Sequence, residues 1–161
     1  MESPDMIRQA IRSAAGRHGL DPAIVYGVCR QESDLDPRAV RYEPRYRWIV
    51  RCPELKPVNC AVLTEENLQK CSIGIMQVMG AVYREQGYAG WLTAIFCDLE
   101  AQLDAGCRHL ARAIKRWGSL EDGLAAYNAG SPRRDKAGNL INQDYVDGVL
   151  RKAAGWPPPR Q

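Results

Sequence analysis

Glu32 is the first residue along the chain whose type and setting suggest chemistry. Ala23 to Cys29 before it are all apolar, so its carboxyl is expected to lie against a partly desolvated floor. Desolvation favours the neutral form of a carboxyl. A glutamic acid that keeps its proton near neutral pH can donate it to a leaving oxygen, which is what cleavage of a glycosidic bond requires. The bland alternative is a solvated Glu at a helix end. Three further acids, Asp34, Asp36 and Glu43, follow closely. Glycosidases with two carboxylates hold them about 5 to 9.5 Å apart, and nearness in sequence does not put any of the three opposite Glu32.

Other reactive groups point less clearly. Six cysteines (Cys29, Cys52, Cys60, Cys71, Cys97, Cys107) include no C-x-x-C pair, and His18 and His109 are the only histidines. Zinc sites need closely spaced ligands of these types, so no metal and no cofactor is expected. Cys52 and Cys60 flank a Pro-containing loop that a disulfide could staple in an oxidising compartment. From Arg41 to Trp48, cations interleave with aromatics. Such a stretch can stack on sugar faces and meet peptide carboxylates, or it can clamp its own loop onto the domain. It would also suit single-stranded nucleic acid.

Three patterns occur in order: Glu32-Ser33 with Asp36-Pro37-Arg38-Ala39, then Ser72-Ile73-Gly74-Ile75-Met76-Gln77, then Ala126-Tyr127-Asn128-Ala129-Gly130. With Tyr145-Val146 further on, the chain resembles the catalytic domain of the lytic transglycosylases related to goose-type lysozyme. The resemblance covers roughly residues 5 to 152, a one-domain length. It departs from the common pattern at Ile75, at Val78-Met79-Gly80-Ala81, and at Ile141, where relatives often have Leu, a Pro and Thr, and Glu respectively.

The resemblance implies that Glu32 is the single catalytic acid and base. Ser33, Ser72, Gly74, Ile75, Met76 and Gln77 would belong to the substrate site, with Gly74 to Gln77 lining the glycan groove. Tyr127 and Asn128 would complete the floor, and Tyr145 would orient the Glu32 carboxyl. It further implies peptidoglycan glycan strands as substrate, cut between N-acetylmuramic acid and N-acetylglucosamine with 1,6-anhydromuramyl ends. Hydrolysis of the same bond by a muramidase and a noncatalytic wall-binding module are the alternatives. Met76 at helical spacing could equally be core, Tyr127 and Asn128 could simply end a helix, and Tyr145 could be an ordinary packed aromatic.

These residues need elements to hold them. Ser3-Pro4 reads as a helix start, with Met6, Ile7, Ala10, Ile11 and Ala14 on one face and a stop at Gly16 to Gly19. Asp21-Pro22 starts a second, mostly buried helix running into Glu32. Residues 36 to 59, with Pro37, Pro44, Pro53 and Pro57, form a long irregular loop with room for a short strand. Thr64 is expected to cap a short helix through Cys71, and Met76 to Gln86 to form another, stopped by Gly87. Leu99, Leu103, Cys107, Leu110, Ile114 and Trp117 mark the longest helix, from Asp98 to Gly118. Ser119 with Asp122 opens a helix stopping at Gly130, and a last helix spans Asn142 to Ala154 with Tyr145, Val146, Val149 and Leu150 inward. Pro157 to Pro159 suggests an extended tail.

The expected fold is mainly α: one lysozyme-like helical domain over residues 1 to 161, with a substrate groove and a long irregular loop. The 161 residues, 45% hydrophobic and 25% charged, exclude a mainly disordered chain. A net charge of +3 is too small for a dedicated nucleic-acid binder, so no nucleic acid partner is expected, and a monomer is. No apolar run reaches the ~18 residues of a membrane span, and the opening residues lack the basic and apolar regions of a signal peptide. A wall substrate with no export signal suggests release by a phage lysis system, carriage on a virion, or a bacterial leader missing from this chain.

Overall fold

A computed structural model describes residues 3–157. The chain is mainly α-helical: α1 (Pro4–Arg17), α2 (Pro22–Glu32), α3 (Val62–Gln69), α4 (Gly80–Glu85), α5 (Leu99–Trp117), α6 (Leu120–Ala129) and α7 (Gln143–Ala153). Three short strands, β1 (Val40–Tyr42), β2 (Cys71–Ile73) and β3 (Val78–Met79), and a 3₁₀ helix (Leu92–Cys97) complete the described elements. Packing divides the chain into two compact units, one of residues 1–31 with 107–161 and one of residues 32–106. The boundary falls one residue before the end of α2 and within α5.

In the unit formed by the two chain ends, local signals set the helix limits. The Ser3 hydroxyl accepts the Met6 N–H, and the Asp21 carboxylate accepts the Ala23 N–H at 2.8 Å. Ser119 does the same for Asp122, and Gly130 ends α6 with φ of 77°, a conformation that suits glycine. Ile7, Ile11, Ala14 and Ala15 bury one face of α1, whereas Met6, expected on that face, is exposed. Helix α7 lies close against α2. A Cβ on Gly27 would sit 2.5 Å from the Val149 carbonyl oxygen, and one on Gly148 would sit 2.7 Å from the Gln31 side-chain oxygen. Val146 and Val149 are buried as expected, while Tyr145 and Leu150 are half-buried. Trp117, expected inward on α5, is exposed. Of the Pro-rich tail only Pro157 is described, so its expected course lies outside the described residues.

In the unit of residues 32–106, the strands form an antiparallel sheet in the order β1-β2-β3, with Val40 opposite Ile73 and Ile73 opposite Val78. Two expectations are corrected. Helix α3 begins at Val62 with no side-chain cap, so Thr64 lies inside it, and Cys71 belongs to β2. Met76 to Met79 is no helix but the turn and second strand of a β-hairpin, and α4 starts only at Gly80. Gly74 and Gln77 bracket the turn with φ of 80° and 48°, left-handed values that break a helix. Cys52 and Cys60 carry no disulfide. A buried ion pair pins α3 to α4, Arg84 Nε donating to Glu65 at 2.7 Å, and Gln69 donates to the same carboxylate.

Candidate active site

Glu32 is the last residue of α2 and is half-buried. Directly after it the backbone reverses hand: Asp34 and Leu35 have φ of 55° and 68°. Such conformations cost energy in non-glycine residues and persist only where the surroundings hold them. The holding groups are visible. The Ser33 hydroxyl donates to the Ile75 carbonyl at 2.8 Å, which fastens the residue after Glu32 to the hairpin turn. The Gly74 N–H donates to the Ala39 carbonyl at 2.8 Å. The Gln77 side-chain amide donates to Ala39 and Gly74 carbonyls, and its oxygen accepts from Ser72 at 2.9 Å.

Behind the turn stands Gln102, fully buried on α5. Its oxygen accepts the Ile75 N–H at 2.9 Å, and its nitrogen donates to Pro37 at 2.9 Å and Ile95 at 2.8 Å. One side chain thus satisfies the loop after Glu32, the hairpin turn and the 3₁₀ helix together. Gly74 must be glycine for a second reason, because a Cβ there would lie 2.3 Å from the Gln102 side chain. Sequence reasoning missed Gln102. The available signal was a polar residue beside Leu103, on a helix whose apolar positions were already assigned.

The Ser72-to-Gln77 segment therefore comes together as one hydrogen-bonded turn fastened to Ser33. Ile75 and Met76 have no exposed surface. Met76 packs under α5, where a Cβ on Gly106 would meet its sulfur at 2.3 Å. Both residues therefore support the turn from within rather than meeting a ligand themselves.

Tyr127, Asn128 and Tyr145 belong to the other unit. Tyr127 is half-buried, with its ring centroid 5.3 Å from that of His109. Burial, and secondarily the neighbouring Arg112, holds the His109 pKa below its ordinary value. Asn128 is exposed, and its side-chain oxygen accepts from Asn142 at 2.9 Å. Asn142 also donates to the Ala125 carbonyl at 3.0 Å, which ties the end of α6 to the start of α7. Tyr145 stands in the first turn of α7, half-buried.

Among the described residues, no cluster of three or more His, Cys, Asp or Glu could hold a metal ion. Asp36 bonds the Arg38 N–H at 2.9 Å and Glu43 pairs with Arg41, so both carboxylates are engaged locally.

A mainly helical chain with an acid ending one helix, fastened through its neighbour to a buried S-x-G-x-M-Q turn, defines the class of lysozyme-like glycan-cleaving domains. The model of the transglycosylase SLT domain family matches residues 9–144, and the chain belongs to that family. Lytic transglycosylases of this family act on the peptidoglycan of the cell wall. No helix among the described residues is long and apolar enough to cross a membrane.

Proposed function

We propose that this protein cleaves the β-1,4 bond between N-acetylmuramic acid and N-acetylglucosamine by a single-acid, substrate-assisted mechanism, with Glu32 as acid and then base. The observation that carries the reading is the fastening of Ser33 to Ile75, which sets the end of α2 beside the Ser72 to Gln77 turn. Of the three acids near Glu32 in sequence, Asp36 and Glu43 are engaged locally, which fits a mechanism in which neither serves as a second carboxylate.

Glu32 protonates the glycosidic oxygen, and the bond to C1 of the muramyl residue breaks. The acetamido group of that residue stabilises the developing oxocarbenium charge. The C6 hydroxyl then attacks C1 and gives its proton to Glu32, leaving a 1,6-anhydro ring with no water consumed. The attacking hydroxyl sits on the same sugar ring, an arrangement of high effective concentration. Ser72, Gly74 and Gln77 shape the glycan-facing turn and Ile75 and Met76 support it from within; the family resemblance assigns Tyr127 and Asn128 to substrate contact and Tyr145 to orienting the acid.

The deciding experiment digests purified sacculi in heavy-oxygen water and reads the fragments by mass spectrometry. Unlabelled ends, lighter by one water than hydrolytic ends, are expected. Label at the new reducing end would establish a muramidase, and absence of any fragment would leave a wall-binding module.

A further inference from the structure

From Trp48 into the first turn of α3 the chain carries a run of exposed apolar residues. Val58 is 98% exposed, Trp48 71%, Leu63 69% and Val62 65%. Isolated exposed apolar residues are ordinary, but several in one short stretch mark an interaction surface. Ile49, Val50, Cys52, Pro53 and Val62 line an open cavity of about 230 Å³ beside them. Three of the polar groups in its wall are engaged within the protein: Gln69 bonds both Val50 backbone groups, Glu65 holds Arg84, and Lys56 donates to the Pro57 and Cys60 carbonyls, while Arg51 and Glu66 also line it. The cavity thus extends an apolar surface rather than offering a polar ligand its partners.

The same stretch is net positive. Residues 40–63 hold five cations (Arg41, Arg45, Arg47, Arg51, Lys56) against two acids (Glu43, Glu54), an excess equal to the whole chain's +3. Arg45, Arg47 and Arg51 are exposed.

We propose that this segment docks the protein on an anionic phospholipid bilayer. Trp48, Val58, Val62 and Leu63 enter the interface, and Arg45, Arg47 and Arg51 meet the headgroup phosphates. Aliphatic tips set among guanidinium groups and one tryptophan fit an interface that is charged outside and hydrocarbon beneath. A sugar polymer fits less well, because sugar rings stack on flat aromatic faces and Val58, Val62 and Leu63 have none. A second copy would oppose like charge with like. None of these residues has a role in the proposed cleavage, so the test does not depend on which bond the enzyme cuts.

The experiment sediments the full chain with vesicles of phosphatidylcholine alone, or with one third phosphatidylglycerol, at low and high salt. Expected is binding to the anionic vesicles only, weakened by salt as counterions screen the cations. The triple variant R45Q/R47Q/R51Q should bind roughly a hundredfold more weakly, about fivefold for each cation. V58S/L63S should bind roughly tenfold more weakly through lost apolar burial. An unchanged melting temperature in both variants excludes misfolding as the cause. The proposal is overturned by absence of vesicle binding, by equal binding to neutral vesicles, or by variants that bind as the parent does. Retention on sacculi that falls in the variants, with no vesicle binding, would make the wall polymer the partner.

Discussion

Replacing Gln102 by Leu removes three hydrogen bonds at one stroke while nearly preserving side-chain volume. The Ile75 N–H and the Ile95 carbonyl lose a partner in buried surroundings, and the Pro37 carbonyl loses one where burial is partial. A buried group left unsatisfied costs about 1–3 kcal/mol. The amide N–H has no second partner to turn to, whereas the Ile95 carbonyl keeps the Asp98 N–H and the Pro37 carbonyl is only partly buried, so the expected total is roughly 2–5 kcal/mol. For a chain of this size each kcal/mol lowers the melting temperature by about 2–4 °C. The assay is a thermal melt by circular dichroism, and a fall of roughly 4–20 °C is expected. Wall cleavage measured well below that melting point should fall as well, because Ile75 also receives Ser33. Q102E keeps the acceptor for Ile75 but sets a carboxylate against two carbonyls, so its deficit should shrink as acid protonates it. A melting temperature within about 1 °C of the parent would refute the view that this side chain holds the turn.

Other outcomes follow from the same geometry. E32Q keeps shape but removes the transferable proton, so cleavage of purified sacculi should drop at least about 10²-fold with an unchanged melt. Y145F should lower activity and alter its pH profile with little change in stability; a normal rate and profile would return Tyr145 to a packing role. Burial alone would raise the Glu65 pKa, but hydrogen bonds from Arg84 and Gln69 outweigh it and hold it below 4.5. That pair's stabilisation is therefore complete above the unfolded-state value and is lost as pH falls through the lower folded value. E65Q should cost about 3–5 kcal/mol near neutral pH by leaving Arg84 buried without its anion, and its melting temperature should converge on the parent's in acid. G74A should destabilise strongly, since the new Cβ would meet Gln102 at 2.3 Å in a backbone of φ 80°.

Much of the helical frame was legible because its signals are local. Ser3-Pro4, Asp21-Pro22 and Ser119 with Asp122 mark starts through bonds spanning two or three residues, and Gly118 and Gly130 mark ends through backbone conformation. The motif residues were legible too, since their types and order identify the family before any coordinates do. Asp36 to Asn59 was legible only as irregular, apart from the short strand that β1 supplied.

The hairpin was decided otherwise. Ile75-Met76-Gln77-Val78 mixes helix formers with β-branched residues, so its local preferences are divided. Ser33 and Gln102, 42 and 27 residues away from Ile75 along the chain, claim that residue's backbone groups instead. Met6 and Trp117 show the same limit from the other side, because periodicity marks an apolar face without saying how far along the helix a neighbour covers it. The sequence by itself thus determined the family and the helix limits outside residues 62–86, and it pointed to the candidate acid. Only tertiary structure decided the turn beside that acid and the buried amide behind it, because hydrogen bonds between distant residues outweigh the weak preferences of a short segment.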